Sequence, residues 1–242
     1  FDVYINDAFS VSHREHASIV LLPKLVREKA IGRLVEIELK HLGKIMGKKC
    51  LFILGGSKTD NIALLSDKRK VLATGVFGQL CMIAKGINLG VQNKFLANKM
   101  DAVKEIRGKV KNVRTADDVA LKVNGKRQER FIADAPFDYE IFDIGHLTIE
   151  EYKKEISKAE AIFMKGTAGY CEEEQFCYGT KELLKAIASS NAYKILSGGH
   201  LSTALKKLGI SKNKFNYVSL SGGATVNYIA GKKLVGLEVL KR

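Results

Sequence analysis

Short apolar runs that alternate with amphipathic stretches constrain the fold of this chain more than any other feature of its sequence. The runs are rich in Val, Ile, Leu and Phe, several precede glycine, and they cover residues 50–54, 71–73, 161–164, 193–196 and 217–220. Buried parallel strands have this composition because helices cover both faces of their sheet. The pattern therefore predicts an α/β fold with a doubly wound parallel sheet, whose ligands bind at the carboxyl ends of the strands.

The amphipathic stretches supply the predicted helices. Residues 33–46 form the longest of them, and its apolar positions are Leu34, Ile37, Leu42 and Ile45. Thr148 and Thr180 are each predicted to cap the start of a later helix. Residues 110–123 alternate only loosely between polar and apolar, which predicts a peripheral strand or hairpin.

Composition excludes several classes of protein. The 242 residues are 46% hydrophobic and 27% charged, as in globular domains and unlike disordered or fibrous chains. No apolar run approaches the roughly 18 residues of a membrane span, and the start does not resemble a signal peptide, so we expect a cytoplasmic protein with no membrane partner. The four cysteines occur without a C-x-x-C pair and are predicted to be reduced core thiols: Cys50, Cys81, Cys171 and Cys177.

The chain is strongly basic. Lys and Arg number 40 against 26 Asp and Glu, which gives a formal net charge of +14. Such a charge attracts polyanions, so phosphate-bearing metabolites and nucleic acid are both candidate partners. Because the basic residues are scattered along the sequence, solvated helix faces are the alternative interpretation.

Three predicted strand ends carry paired glycines, each before a helical stretch: Gly55-Gly56-Ser57-Lys58, Ser197-Gly198-Gly199-His200 and Ser221-Gly222-Gly223-Ala224. Glycine lets a ligand approach the backbone closely, and a helix start offers free N–H groups, a combination suited to phosphate. Lys58 is a candidate for neutralising a transferring phosphoryl group, or else a surface lysine at a helix start. Glu172 is a candidate for binding ribose hydroxyls, or else a solvated acid.

The front of the chain carries a second set of polar residues. His13, Arg14 and His16 share one loop, after Asn6 and Asp7. A guanidinium such as that of Arg14 suits phosphate or carboxylate. The histidine spacing occurs in metal sites, but no further ligands complete a set, so no metal site is predicted. Gly-x-Ser-x-Gly, the signature of a serine nucleophile, is absent.

Together these segments resemble the phosphoglycerate kinase family over essentially the whole chain. The anchors are V-Y-I-N-D-A-F-S-V-S-H-R at 3–14, L-G-G-S-K at 54–58, A-K-G at 84–86, D-I-G at 143–145, Gly179-Thr180, and the G-G-H and S-G-G-A turns. Members have two Rossmann-like domains joined by a long helix. The resemblance implies that 1–32 ends the N-terminal domain, 33–47 is the joining helix, 48–225 is the nucleotide domain, and 226–242 returns toward the first domain.

The resemblance also implies roles for individual residues. Lys58 would stabilise the moving phosphoryl group, and the phosphoglycerate would be bound by Asn6, Asp7, His13 and Arg14. The nucleotide, as Mg-ATP or Mg-ADP, would be bound by Gly55, Gly56, Lys58, Gly75, Gly166, Glu172, Gly198, Gly199, His200, Gly222 and Gly223. Most of the first domain, which binds 3-phosphoglycerate or 1,3-bisphosphoglycerate, would be missing, so this fragment alone is expected to be inactive. The complete protein is expected to be a monomer.

Several positions depart from the family pattern. The N-G-P-x-G turn reads Lys165-Gly166-Thr167-Ala168-Gly169, and glycine positions carry Ser197 and Ser221, which would add side chains beside phosphate. Leu201 stands where a hydroxyl is expected, and many members have Asp at His200. On the adenine side, Thr74-Gly75 is followed by Phe77, which would narrow the slot. The segment after Lys58 is about seven residues short, which predicts a short helix behind the phosphate loop.

Two hypotheses follow. The first is a divergent phosphoglycerate kinase that binds adenine nucleotide and closes two domains around its substrates. The second is a non-catalytic relative whose basic surface binds RNA, the ribosome or another acidic partner. A different phosphotransfer or nucleotide-binding role is the remaining possibility.

Overall fold

The computed structural model describes residues 2–241 and contains three sheets within that range. The strands are β1 (Val3–Asn6), β2 (Glu28–Ile31), β3 (Cys50–Leu54), β4 (Lys70–Ala73), β5 (Val113–Arg114), β6 (Asp118–Val123), β7 (Lys126–Phe131), β8 (Ile141–Ile144), β9 (Ala161–Lys165), β10 (Tyr193–Ser197) and β11 (Tyr217–Ser219). The helices are α1 (Ala17–Val20), α2 (Arg33–Gly43), α3 (Gly75–Ala84), α4 (Val91–Phe95), α5 (Met100–Arg107), α6 (His146–Ser157), α7 (Tyr178–Ser189), α8 (Gly199–Lys207), α9 (Gly222–Ile229) and α10 (Val235–Glu238).

The main sheet has six parallel strands in the order β11-β10-β9-β3-β4-β5. Numbered along the chain within this sheet, that order is 6-5-4-1-2-3, the arrangement of a Rossmann-like fold. Every residue of β3 and β9 is buried, as expected for central strands covered on both faces. The prediction of a doubly wound parallel sheet is confirmed. Strand order reverses between β3 and β9, and ligands bind at such points in open α/β sheets.

The helices begin differently from the prediction. Neither Thr148 nor Thr180 is an N-cap, because α6 starts at His146 and α7 at Tyr178. The next two N–H groups after His146 in the first turn of α6 donate instead to the Asp118 carboxylate, at 3.0 Å from Leu147 N and 2.8 Å from Thr148 N. The Thr180 hydroxyl accepts a hydrogen bond from Ala168 N at 2.9 Å. Both predicted caps are wrong because the threonines bond to other segments.

A second sheet of three antiparallel strands, β7-β6-β8, lies in the region predicted as a strand or hairpin. The hairpin spans 118–131, later than the predicted 110–123, while β5 joins the main sheet. The buried Asp143 of β8 accepts hydrogen bonds from Arg127 Nη1 at 2.9 Å and Gly179 N at 2.8 Å. Burial raises the pKa of Asp143 to about 7, while Arg127 acts to lower it.

The front of the chain has a two-stranded sheet of its own, which α2 follows. Strands β1 and β2 pair in parallel, and α2 runs to Gly43 rather than 46. Leu42 and Ile45 are buried as predicted, but Leu34 and Ile37 are 47% and 43% exposed. Close to α10, Asn6 Nδ2 donates to Gly236 O at 2.9 Å. The division at 32, 47 and 225 remains a prediction, and the last boundary falls within α9.

The prediction of four reduced core thiols is wrong for two cysteines. Cys171 and Cys177 form a disulfide, with their Cα atoms 4.2 Å apart. Cys50 and Cys81 are buried and free, and burial raises the pKa of each thiol to about 12. Within residues 2–241, no helix has the length and apolar character to cross a membrane.

Candidate phosphate and nucleotide site

A cleft of about 800 Å³ opens at the carboxyl edge of the main sheet. It is bounded by the loops after β3, β9, β10 and β11, and by the loop that carries His13. Its charged lining is dominated by cations and consists of Arg14, Lys58, Lys99, Lys165 and Asp60. Because the cleft lies where the strand order reverses and concentrates positive charge, it is suited to a polyanion.

The loops after β3 and β9 pack against each other at the centre of this edge. Gly55 N donates to Lys165 O at 2.7 Å, and Gly56 N donates to Thr167 O at 2.9 Å. A Cβ atom on Gly166, whose φ is +79°, would lie 2.4 Å from Gly55 O. Only glycine tolerates both this backbone conformation and this approach. These glycines therefore hold the two central loops together as well as lining the cleft.

The loop after β10 is more open, whereas the loop after β11 lies against the side chains of Lys165 and His13. Gly199 begins α8 and Gly222 begins α9, so both helices start at the cleft. A Cβ atom on Gly198 or Gly199 would meet no neighbouring heavy atom within 4 Å. Free N–H groups and the positive dipole end of α8 therefore face space that a phosphate could occupy.

Lys58 caps a 3-10 helix, Thr59–Leu64, which is the short element predicted behind the phosphate loop. The Lys58 side chain is exposed within the cleft lining. Asn61, in that 3-10 helix, donates from Nδ2 to Gly55 O at 3.0 Å. The loop that presents Lys58 is therefore fixed to the end of β3.

The loop at the front of the chain closes one side of the cleft. Arg14 is exposed there, and its Nε donates to His13 Nε2 at 3.4 Å. Burial lowers the pKa of His13, and the neighbouring Arg14 lowers it further. His13 Nε2 lies 3.1 Å from where a Cβ atom on Gly223 would be, so this loop meets the loop after β11.

Four of the predicted site residues lie outside the cleft lining. Asn6 is buried and bonded to Ser12 and Gly236, while Asp7 Oδ1 accepts hydrogen bonds from the first N–H groups of α2. Gly75 is packed behind the phosphate loop, where a Cβ atom would lie 2.8 Å from Gly56 N. Glu172 is exposed, and its carbonyl accepts a hydrogen bond from Lys207 Nζ at 3.1 Å. The other predicted residues line the cleft together, and their roles remain predictions: His13, Arg14, Gly55, Gly56, Lys58, Gly166, Gly198, Gly199, His200, Gly222 and Gly223.

The two serines at glycine positions do not direct their hydroxyls at the cleft as predicted. Ser221 Oγ donates to the buried Glu38 of α2 at 3.0 Å, and Ser219 donates to the same oxygen at 2.9 Å. Burial raises the pKa of Glu38, and these hydroxyls lower it. Ser197 is fully buried and does not line the cleft. Leu201 is also fully buried, so its side chain serves the core.

The predicted narrowing by Phe77 is not what the structure shows. Phe77 is fully buried and does not line the small cavity beside Thr74 and Gly75. That cavity, whose lining includes Gln79 and Asp143, measures about 10 Å³, which is close to the minimum for one water. The residues that line this cavity, and not Phe77, therefore limit the open volume beside Gly75.

Sequence reasoning missed the ion pair between Lys165 and Asp60. Lys165 Nζ lies 2.7 Å from Asp60 Oδ1, and both residues line the cleft. From the sequence, Lys165 was interpreted only as a replacement for the amide side chain of the family's N-G-P-x-G turn. Its position immediately after a predicted strand was the available signal, because polar residues there reach the ligand edge of a parallel sheet.

A Rossmann-like sheet with a basic, glycine-lined cleft where strand order reverses is an arrangement that α/β proteins use to bind phosphate groups. The sequence model of one family, described as phosphoglycerate kinase, matches residues 1–232. The chain belongs to the phosphoglycerate kinase family.

Relatives and solved structures agree with this assignment. The chain is 40% identical to a phosphoglycerate kinase of Methanothermus fervidus and 40% identical to phosphoglycerate kinase 1 of Methanosarcina acetivorans, covering 99% and 100% of this chain. The crystal structure of phosphoglycerate kinase from Pyrococcus horikoshii superposes with a TM-score of 0.87 at 31% identity, over 99% of this chain and 64% of that one. This chain spans 62% of the length of the two curated relatives.

Proposed function

We propose that the full-length protein is a phosphoglycerate kinase, which transfers a phosphoryl group reversibly between 1,3-bisphosphoglycerate and ADP. Residues 48–225 bind Mg-ADP or Mg-ATP. Arg14 and His13 face the 3-phosphoglycerate side, whose remaining contacts come from the rest of the N-terminal domain. On this proposal the protein acts in the cytoplasm as a monomer, because its substrates are soluble metabolites and one chain carries both binding regions.

The observation that carries the proposal is the basic cleft at the switch point of the sheet. Two helix starts and the central glycine loops converge there with Lys58 and Arg14. Phosphoryl transfer demands positioning and positive charge rather than covalent chemistry by the protein. Lys58 is the exposed cation next to the central loop, which supports a role at the transferring group.

Calorimetry of the 242-residue chain with Mg-ADP tests the nucleotide half of the proposal. We expect a Kd on the order of micromolar, which corresponds to about −8 kcal/mol. The matched control is adenosine with Mg²⁺, which lacks phosphate and should bind far more weakly. Absence of Mg-ADP binding would contradict the assignment of the cleft.

Steady-state kinetics of the full-length protein test the catalytic half. Lys58→Ala should lower kcat by about 100-fold or more while changing the Kd of Mg-ADP only a few-fold, because its charge acts mainly in the transition state. Lys104→Ala removes an equal charge from an exposed site on α5, outside the cleft lining, and should have little effect. Full-length wild-type protein without turnover at saturating substrates would rule out the kinase.

The net charge of +14 favours a second candidate, a non-catalytic role. A basic surface that binds RNA should show affinity that falls steeply with salt, with a slope that counts the phosphates contacted. Strong salt-dependent RNA binding together with no Mg-ADP binding would support this second candidate.

A further inference from the structure

Lys165 is a nearly buried cation within the cleft lining. It ends β9 and is 5% exposed, yet it borders the cleft. Its ammonium donates to Asp60 Oδ1 at 2.7 Å and to Asn61 Oδ1 at 3.0 Å. An ammonium has three N–H donors. Among residues 2–241, no third acceptor is bonded to Nζ, so one donor is left for a ligand.

The Lys165 side chain lies where several phosphate loops meet. Its backbone carbonyl accepts from Gly55 N, and its Cε lies 3.4 Å from where a Cβ atom on Gly222 would be. Burial lowers the pKa of Lys165, Asp60 acts to raise it, and the nearby Lys58 lowers it. The charges of Lys165 and Lys58, which both line the cleft, are therefore close enough to interact.

The Asp60 contact favours a binding role over a purely structural one. A buried ion pair adds little net stability, because removing both charges from water costs about as much as their attraction returns. The Asp60 side chain is 34% exposed, so the pair is not sealed from the cleft. An incoming phosphate can therefore take the free donor while Asp60 and Asn61 hold the ammonium in place.

We propose that Lys165 is a second phosphate-binding cation of the cleft besides Lys58, and that it contacts the phosphate chain of a nucleoside polyphosphate. This inference rests on the proposed nucleotide-binding function of the cleft. Asp60 and Asn61 are positioning residues that orient the ammonium.

Calorimetry of the 242-residue chain with pyrophosphate, repeated with Mg-ADP, tests the assignment. Lys165→Met should weaken both ligands by about 10-fold or more, the loss expected for a charge-assisted contact. Lys165→Gln keeps a donor for Asp60 without the charge and should weaken them similarly, which covers the case in which the methionine variant fails to fold. Lys104→Met is the matched control for charge and should bind as the wild type does.

A double variant separates direct contact from neutralisation of Asp60. If Lys165 only neutralises that carboxylate, Lys165→Met combined with Asp60→Asn should restore wild-type affinity for pyrophosphate, which would overturn the proposal. If Lys165 contacts phosphate, the double variant stays weak, whereas Asp60→Asn alone binds at least as tightly as the wild type. Wild-type affinity in Lys165→Met would refute only the role of Lys165. Failure of the wild type to bind either ligand would refute the nucleotide site itself.

Discussion

The glycines of the cleft and the glycines around Asp143 have different surroundings. A Cβ atom on Gly198 or Gly199 would meet no neighbouring heavy atom within 4 Å. One on Gly169 would lie 2.4 Å from the Asp143 carboxyl carbon, and one on Gly179 would lie 2.5 Å from its Oδ1. The first pair borders open space, while the second lets backbone pack against a buried carboxylate.

Glycine is therefore present at this edge of the fold for two different reasons. Where the backbone borders open space, a phosphate can approach it, and an added side chain would weaken binding. Where the backbone packs on Asp143, an added side chain would lower the stability of the fold. The glycines at this edge therefore include a group that borders open space and a group that is needed for packing.

Replacing Arg127 should lower the free energy of unfolding more than the glycine and serine substitutions do, because it leaves the Asp143 carboxylate buried without its cation. Arg127→Met should lower the free energy of unfolding by about 3–5 kcal/mol. The matched control is Arg130→Met on the same strand, an exposed side chain bonded only to neighbouring residues, which should change stability by about 0.5 kcal/mol or less. Urea denaturation measures both. Equal small losses would show that Asp143 does not depend on the pair.

Gly169→Ala and Gly199→Ala test the packing contrast directly. The first forces a methyl group against the Asp143 carboxyl and should cost about 1–3 kcal/mol of stability. The second places a methyl group at the start of α8, in open space, and should leave the unfolding midpoint unchanged or slightly raised. Thermal unfolding of the two variants compares them, and equal losses would contradict the contrast.

The sequence predicted the main sheet well because its central strands are buried on both faces and stand out as apolar runs. It failed where the partner is distant in the chain. Thr148 looks like a cap locally, yet Asp118 from the neighbouring sheet supplies the acceptors. Cys171 and Cys177 are six residues apart in sequence, and only the folding of the loop between them brings the two cysteines together.

The position of the candidate site was also predictable, because the strands that lead into it are recognisable as apolar runs. Glycine turns after strands indicated a phosphate cleft, and Lys58, Arg14 and His13 line it. The direction of a side chain was not predictable, because Ser221 bonds to Glu38 on α2, 183 residues away in sequence. Lys165 was noticed as a substitution but not as a buried cation, since its acceptors lie more than 100 residues earlier.

Gly199→Ala should affect ligand binding although it leaves the fold intact. The added methyl group would stand at the helix start that faces the cleft and keep phosphate away from the N–H groups of α8. We expect about 10-fold weaker Mg-ADP binding, or about 1.4 kcal/mol, by calorimetry. Gly108→Ala, outside the cleft lining and with ordinary helical backbone angles, is the control for an added methyl group and should not change the Kd. Unchanged affinity in Gly199→Ala would mean that phosphate does not reach this helix start.

Ser197 and Ser221, which stand at glycine positions of the family, should give the smallest changes in stability when they are replaced. Ser221→Ala removes a hydrogen bond to the buried Glu38 and should cost about 1 kcal/mol, the usual net contribution of one hydrogen bond. Ser197 Oγ is buried with no partner among residues 2–241, so Ser197→Ala should be neutral or stabilise by up to about 1 kcal/mol. Urea denaturation resolves the difference in sign. A clear loss in Ser197→Ala would reveal a partner for its hydroxyl, such as a bound water, and would place both serines in the same structural role.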